Sequence, residues 1–573
     1  MYGEAIDSGR STGIMYGAPI PTIWVEHKTG RGVTQDGTTV QPKIGARRKN
    51  PNLTDLLDTA ASYGARRIML SGERPEPAPG VRHWLLVQTP GWKPIGHRLG
   101  VPIVGRFEHQ VTGQKIEVHT VAAWFPRVTD PESESNDTPL PLKPAMAREA
   151  WMLTEAVIQK IAPKQFLLLS PSRTGMSLFW QKLPRDQKTK ELILPPQVDR
   201  DIAGDLHRTS GQHHIEHKVA GEYASDHPDV VALIDPSKRP KIDTFRYVDG
   251  RFMYAALGRE LGTGPGVRLN RAAAFELMET DAYARAWYEV KFTVPQGWRH
   301  VGILGVQHDN PAMGWYYPNR PGATGVTWAD ASEVAVAIAQ GWLVEPLQAI
   351  RWQKGGRPVD NFMKALDNAR HAVEINQEHP PMLRRAVVAA LRQITIQTVG
   401  AFASRGGSKT IVVGNPLDIP ADARNRTDRG KVYTYEVPGD RWEQQNYHPE
   451  LAIQIWGRGR ARLLSAPTAT GADGGVLQLP GESIIGLNGD AVYSTSVPRW
   501  SLDAKRGGGD DGKTGRLRIK GALRGSFATN GPSREAAKAR TSARSRACAQ
   551  VGQATPAAPR RRRMASLSWA KTS

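Results

Sequence analysis

Cysteine is almost missing from this chain: among 573 residues there is one, Cys548. A lone cysteine excludes an intrachain disulfide framework and a cysteine-based zinc finger. Long apolar runs are missing too, and no stretch approaches the ~18 uncharged apolar residues that mark a membrane-spanning helix. The start, Met1-Tyr-Gly-Glu-Ala-Ile-Asp7, lacks the basic and then apolar succession of a secretory signal. These absences lead to the expectation of a cytoplasmic protein with no membrane partner. Acids are scarce relative to bases, 55 Asp+Glu against 76 Lys+Arg, for a formal net charge of +21. Such an excess favours a polyanionic partner, nucleic acid above all, over an acidic small molecule. A GC-rich coding sequence that prefers Arg gives the same excess, so both explanations stand at this point.

The positive charge is uneven. Thr529–Ser573 holds ten Lys/Arg against one acid, Glu535, and includes the run Arg560-Arg561-Arg562-Arg563. That run suits phosphate contacts through counterion release. A solvated unstructured segment, or out-of-frame GC-rich coding, reads the same way. Beyond Ser501 the composition shifts to Gly, Ala, Arg and Ser, which predicts disorder.

Between these extremes the pattern alternates between helix and strand, giving an α/β (α+β) fold class. Asn52–Ser62 reads as a capped helix and Ala145–Ile161 as an amphipathic one. His83–Gln88, Ile116–Trp124 and Phe166–Ser170 read as strands. Residues 186–245 are charged and Pro-rich, like a connector. Further on, the signals are strands near 287–294, helices at Trp328–Gln340, Asn361–Asn376, Pro381–Ala403 and His448–Ser465, and a β pair around Ile484–Thr495. The segment Ser404–Asp428 reads as an exposed loop. The expected divisions are 1–185, 186–245, 246–500 and a tail at 501–573.

Three segments carry chemistry. Tyr247-Val-Asp-Gly-Arg-Phe-Met-Tyr254-Ala-Ala-Leu257 places Asp249 at the end of a short apolar run, with Tyr254 five residues later. Leu391–Ser404 puts Arg392 and Gly400 on the last turns of a helix. Ile484–Thr495 holds Asn488-Gly489-Asp490, a tight turn between two strands. Taken singly, Asp249 and Asp490 also read as ordinary turn acids.

In this order the three segments resemble family B DNA polymerases, most closely the protein-primed, phage-type branch. Those palms carry D-x-x-S-L-Y-P, K-x-x-x-N-S-x-Y-G and Y-x-D-T-D-S. Asp249 and Tyr254 fall on the first motif's Asp and Tyr, with Phe252 for Ser and Ala255 for Pro. Arg392 falls on the Lys of the second and Gly400 on its Gly, with Ile396, Gln397 and Val399 for Asn, Ser and Tyr. In the third, Asp490 falls on the second Asp, Asn488 replaces the first, Gly486 replaces Tyr and Ala491 replaces Ser. The resemblance covers residues 246–500.

The resemblance implies a polymerase-like palm with helical fingers and thumb elements, preceded by an exonuclease-like α/β domain. It implies a DNA-binding, metal-dependent nucleotidyltransferase of a mobile-element or phage-related replication system. Asp249 and Asp490 would hold two Mg2+ (or Mn2+) ions and, with Arg392, form the catalytic set. Arg392 would meet the triphosphate, while Tyr254, Phe252 and Gly400 would line the nucleotide. DNA, as primer-template or single strand, is the expected partner, and 283–345 corresponds to the interval that receives a priming or terminal protein. The interval 404–440 corresponds to an insertion that supports strand displacement. The slot for the proofreading D-x-E motif is Trp24-Val-Glu26, with Trp where Asp should stand, so proofreading is not expected. The alternative is an inactive polymerase-like protein serving replication or telomere ends, because Asn488 removes one hairpin acid and Val399 cannot stack as Tyr does.

Two other features each carry two readings. His207, His213, His214 and His217 cluster within eleven residues and read as a polar, His-rich loop rather than a zinc site. Trp298, Trp315, Trp328, Trp342 and Trp352 read mainly as core, with stacking on unpaired bases as the second reading.

Overall fold

The computed structural model describes residues 14–44, 48–72, 83–98, 104–126, 142–214, 216–221, 224–310, 313–404, 409–421, 423–429, 432–437, 446–467, 473–529 and 568–570. Arg560–Arg563 and Cys548 lie outside them. The chain divides into two units. One takes 1–132, 139–193 and 361–447, and the other takes 133–138, 194–360 and 448–573.

The first unit is organised by two parallel strand pairings. Thr22–Glu26 pairs in parallel with Arg67–Ser71, which pairs in parallel with Lys115–Thr120. Parallel neighbours need a crossover, and the helix Leu53–Ser62 lies within the first. Its start follows from a capping box: the Asn52 side chain accepts from the Asp55 amide at 3.0 Å, and Asp55 accepts from the Asn52 amide at 2.8 Å. Leu53, Leu56, Leu57 and Ala60 then pack on Ile23, Val25, Ile68 and Leu70. The sheet has ten strands. Beyond the parallel three it runs through Gly105–His109 and Trp92–Arg98 to Lys409–Val413, Val432–Val437 and Arg424–Arg429 on one side, and to Gly32–Thr34 and Thr39–Val40 on the other.

Helix Pro144–Ile161 lies on the strands Thr22–Glu26 and Arg67–Ser71, and helix Pro381–Phe402 packs on it and on Pro171–Lys182. The last contact depends on Gly175. A Cβ there would stand 1.9 Å from Thr398 Oγ1 and 3.0 Å from Ile394 Cγ2.

Several expectations change here. His83–Gln88 is no strand: Trp84–Leu86 is a single 3-10 turn whose start is capped by the His83 ring, and Trp84 and Leu85 are buried without a ladder. The strand Lys115–Thr120 stops four residues early and turns into Val121–Ala123. Phe166–Ser170 is buried in part but leads into a helix, Pro171–Lys182, that the sequence did not announce. Side chains serve its amides instead of a neighbouring strand: Glu155 accepts from Leu167 at 3.2 Å and Thr174 from Leu168 at 2.9 Å. Pro171 at the first turn and the Ser170 cap were the missed start signals. The presumed loop at 404–428 supplies an inner strand, Lys409–Val413, to the sheet.

The second unit holds two larger sheets. One is antiparallel, in the order Ser568–Ala570, Leu517–Ala528, Lys241–Gly250, Ala491–Ser494, Ile484–Asn488 and Glu216–Lys218. The other orders Val267–Leu269, Leu343–Arg351, Ala286–Thr293 and Thr324–Asp330, with helices Arg271–Thr280 and Ala331–Ala339 attached. Val248, Tyr288, Phe292, Trp342, Leu463 and Leu487 belong to a single core. Trp328, Trp342 and Trp352 are buried, as the core reading expected. The stretch beyond Ser501 is not disordered throughout, because Leu517–Ala528 pairs along Lys241–Gly250. The connector 186–245 likewise contains the helix Arg200–Thr209 and the strand Glu216–Lys218.

Gly175→Ala overpacks two helices and is expected to lower stability by about 1–3 kcal/mol in chemical denaturation. Adding Thr398→Ala removes the nearest clashing atom and should recover part of the loss. A single variant as stable as the parent would show that the helices separate freely.

Candidate active site

Asp249 sits at the buried end of an inner strand. Lys241–Gly250 is flanked on one side by Ala491–Ser494 and on the other by Leu517–Ala528, with Asp249 opposite both Ala491 and Arg518. Its side chain is 2 % exposed. Asp490 stands next to Ala491 in the hairpin turn, and its carbonyl accepts from the Gly250 amide at 3.2 Å. A Cβ on Gly250 would lie 2.7 Å from Asp490 Oδ2, so the absent side chain is what leaves room for that carboxylate. Asp490, in the turn that opens the strand Ala491–Ser494, is thus one residue before the strand partner of Asp249, although the two acids are far apart in sequence.

A buried carboxylate needs a counter-charge, and the sequence did not reveal this one. Lys520 Nζ donates to Asp249 Oδ2 and lies 5.5 Å from the centre of the Tyr247 ring. The missed signal was the alternation Leu517-Arg518-Ile519-Lys520 after a Gly-rich turn, the pattern of a half-buried strand. The preceding loop is fastened as well: Arg251 reaches Asp510 at 2.9 Å, and the Arg251 amide donates to the Arg516 carbonyl at 2.7 Å.

Just past Asp249 the backbone is strained. Phe252 has φ 49° and ψ 40°, a left-handed conformation unusual for a bulky residue, and its side chain is buried. The bend turns the chain directly into the helix Met253–Leu257, which carries half-buried Tyr254. Tyr254, Asp490, His213, Tyr317, Trp456 and Arg460 line a small cavity of about 10 Å³, near the size of one water.

Beneath that cavity is a buried charge network. His213 Nε2 lies 3.1 Å from Glu333 Oε2, and Arg460 Nε lies 3.8 Å from the other oxygen of Glu333. Arg460 also donates to the Gly302 carbonyl at 2.9 Å and stacks 3.8 Å from the centre of the Tyr317 ring. The His cluster is thus not a polar loop. His213 is part of the network, and His217 is buried on the strand Glu216–Lys218. Burial, aided by Arg460, pushes the His217 imidazole down to about 3. Asp330 caps the helix Ala331–Ala339 by accepting from the Ser332 amide at 3.0 Å. Burial raises its carboxyl to about 6, against the pull of Arg458 and the Ser332 hydrogen bonds.

Other predicted residues belong to the first unit. Arg392 and Gly400 are on Pro381–Phe402, in the first unit, and a Cβ on Gly400 would meet nothing within 4 Å. In the same unit Trp24 is buried, and Glu26 accepts from the Thr29 hydroxyl at 2.8 Å. Among the described residues no group of three or more His, Cys, Asp or Glu could hold a metal ion. Asp249 and Asp490 offer two carboxylates, a donor set that suits a hard cation completed by substrate phosphates and water.

Two outcomes follow. Lys520→Met strands a buried charge and should cost on the order of 3 kcal/mol in denaturant unfolding, with most of it recovered in the Lys520→Met/Asp249→Asn double variant. A loss unaffected by the second change would separate the two residues. Asp330 binds its proton more tightly folded than unfolded, so its contribution is full below about pH 4 and fades as pH rises through about 6. Asp330→Asn keeps the cap and should flatten that decline in thermal midpoint. An unchanged profile would assign the decline to other groups.

No protein-family model matches the sequence, and no curated protein matches it. Solved structures do. Phi29 DNA polymerase complexed with single-stranded DNA aligns with a TM-score of 0.50 at 12 % identity, over 88 % of this chain and 85 % of that one. Its complex with primer-template DNA, the post-translocation binary complex, aligns with a TM-score of 0.48 at 10 % identity over the same shares. At such identity the likeness concerns fold alone: the chain has the mixed α/β fold of Phi29 DNA polymerase.

Proposed function

We propose that this protein binds DNA and carries out template-directed nucleotidyl transfer on a polymerase-like palm. The observation that supports this most is the backbone adjacency of the two acids: Asp249 pairs with Ala491, the Gly250 amide donates to the Asp490 carbonyl, and Gly250 leaves space for the Asp490 carboxylate. The basic balance of the chain, +21, agrees with a polyanionic partner. Two divalent ions, Mg2+ or Mn2+, held by Asp249 and Asp490, would supply stabilisation of the attacking and leaving oxygens. The chain's own groups do the rest. Asp249 and Asp490 orient the reacting phosphate from the end of one strand and from the adjoining hairpin turn. Tyr254, beside Asp490 in the small cavity, is suited to packing under the sugar of an incoming nucleotide. Lys520 pairs with the Asp249 carboxylate and would share it with a bound cation. Arg392 as the triphosphate contact, Phe252 and Gly400 as nucleotide neighbours, Arg560–Arg563 as DNA contacts, a priming protein as partner and a cytoplasmic location rest on the sequence alone.

A second reading is favoured by two observations. Lys520 is bonded to the very carboxylate that must take a cation, and Asn488 leaves the hairpin with a single acid. On that reading the palm binds DNA without chemistry.

Primer extension with Mg2+ or Mn2+ decides between them. Asp249→Asn and Asp490→Asn should each reduce extension by ~10²-fold or more, with DNA affinity changed only a few-fold. Extension that survives both substitutions would remove these acids from the mechanism. Salt-dependent DNA binding by a wild-type chain that never extends a primer would select the second reading.

A further inference from the structure

The first unit holds a cavity of about 380 Å³, inside the range of pockets that take small organic ligands. It opens on the sheet face opposite the helix Leu53–Ser62. Ile68, Leu70, Ile116 and Val118 face that helix, and strand alternation turns Arg67 and Glu117 the other way. Three neighbouring strands then line up a row of charges, with Arg67 opposite Glu117 and Glu117 opposite Arg106. Glu117 lies 3.6 Å from Arg67 and 3.3 Å from both Arg106 and His119. Burial alone would raise its carboxyl, yet the His119 hydrogen bond and the two guanidinium groups hold it down at about 2. One carboxylate thus serves two arginines. Lys115 and Glu108 form the next row, and Glu108 also reaches Lys93 at 3.4 Å. Arg173 adds a further cation from the first turn of Pro171–Lys182.

The lining therefore sets four cations, Arg67, Arg106, Lys115 and Arg173, against two carboxylates. Its other wall is apolar: Ile20, Ile95 and Leu167–Leu169. Gly17, at φ 73°, lets the chain pass close to Leu168, where a Cβ would come within 2.8 Å. A net positive patch that includes a buried arginine fork selects a multidentate oxyanion, and the apolar wall selects a ligand with an organic body. We propose that this cavity binds a phosphate monoester, its phosphate on the arginine row and its body against Ile95 and the 167–169 segment. Its lining belongs to the first unit, and Asp249 and Asp490 belong to the second. The phosphate could belong to a free nucleoside monophosphate or to the 5′ end of a DNA strand.

Calorimetric titration of the full chain tests this with inorganic phosphate, adenosine monophosphate and adenosine. Phosphate and the monophosphate should bind, the monophosphate more tightly, and adenosine should not. Arg106→Gln/Arg173→Gln, both at half-buried positions, should weaken monophosphate binding at least tenfold, with circular dichroism showing the double variant folded at the titration temperature. Asp249→Asn should leave it unchanged, which separates this cavity from any nucleotide site in the palm. Competition by a 5′-phosphorylated oligonucleotide would identify a strand end as the source, and its failure a free monophosphate. Absence of binding at millimolar concentration, equal binding to the double variant, or binding abolished by Asp249→Asn would each overturn the assignment. Should the double variant fail to fold, Arg173→Gln alone carries the same test.

Discussion

A carboxylate taken out of water must meet a cation or a set of donors, and both units obey that constraint where their chemistry is densest. Asp249 meets Lys520, Glu333 meets His213 and Arg460, and Glu117 meets Arg67 and Arg106. In each case the partner comes from another strand or helix. These pairs tie together segments that the apolar core alone would leave free to slide. They also make the sites expensive to disturb, since removing one member strands the other.

The same pairs divide into two kinds. Glu333 is enclosed by His213 and Arg460 and by the ring of Tyr317 that Arg460 covers, so it acts as a fixed floor. Asp249 pairs with Lys520, which is itself 30 % exposed, so water reaches its counter-charge. Of the two pairings it is the more accessible. Strain accompanies it: Phe252 adopts a left-handed backbone so that the chain can leave the strand and begin a helix at once. The bend carries Tyr254 to the same small cavity as Asp490.

Much of the second unit could be read from motif order, because a strand ending in Asp and a hairpin ending in Asp leave local marks. The Asn488-Gly489-Asp490 turn lies between the two strands that were expected, and Gly489 has the positive φ such a turn needs. The capped helix at Asn52 was legible for the same reason. What local pattern could not supply was partnership. Nothing near Asp249 in sequence points to Lys520, and the low-complexity composition around residue 510 hid a two-residue alternation. His213 looked like loop because its partner, Glu333, comes from a distant helix. Phe166–Ser170 looked like a strand because apolar runs of five residues do, and only the Pro171 start signal distinguished it. The fold was therefore more legible than the site, since the site is built from long-range charge pairing.

The position of Leu517–Ala528 beside Lys241–Gly250 bears on how the protein is made. During synthesis the strand bearing Asp249 emerges early, and its neighbours at 484–494 and 517–528 follow only after more than two hundred further residues. Pairing at that sequence distance is slow and leaves strand edges exposed meanwhile. Until residue 520 leaves the ribosome, the pairing of Asp249 with Lys520 cannot form. The second unit thus closes its antiparallel sheet late, whereas the parallel strands Thr22–Glu26, Arg67–Ser71 and Lys115–Thr120 can assemble while translation is still under way.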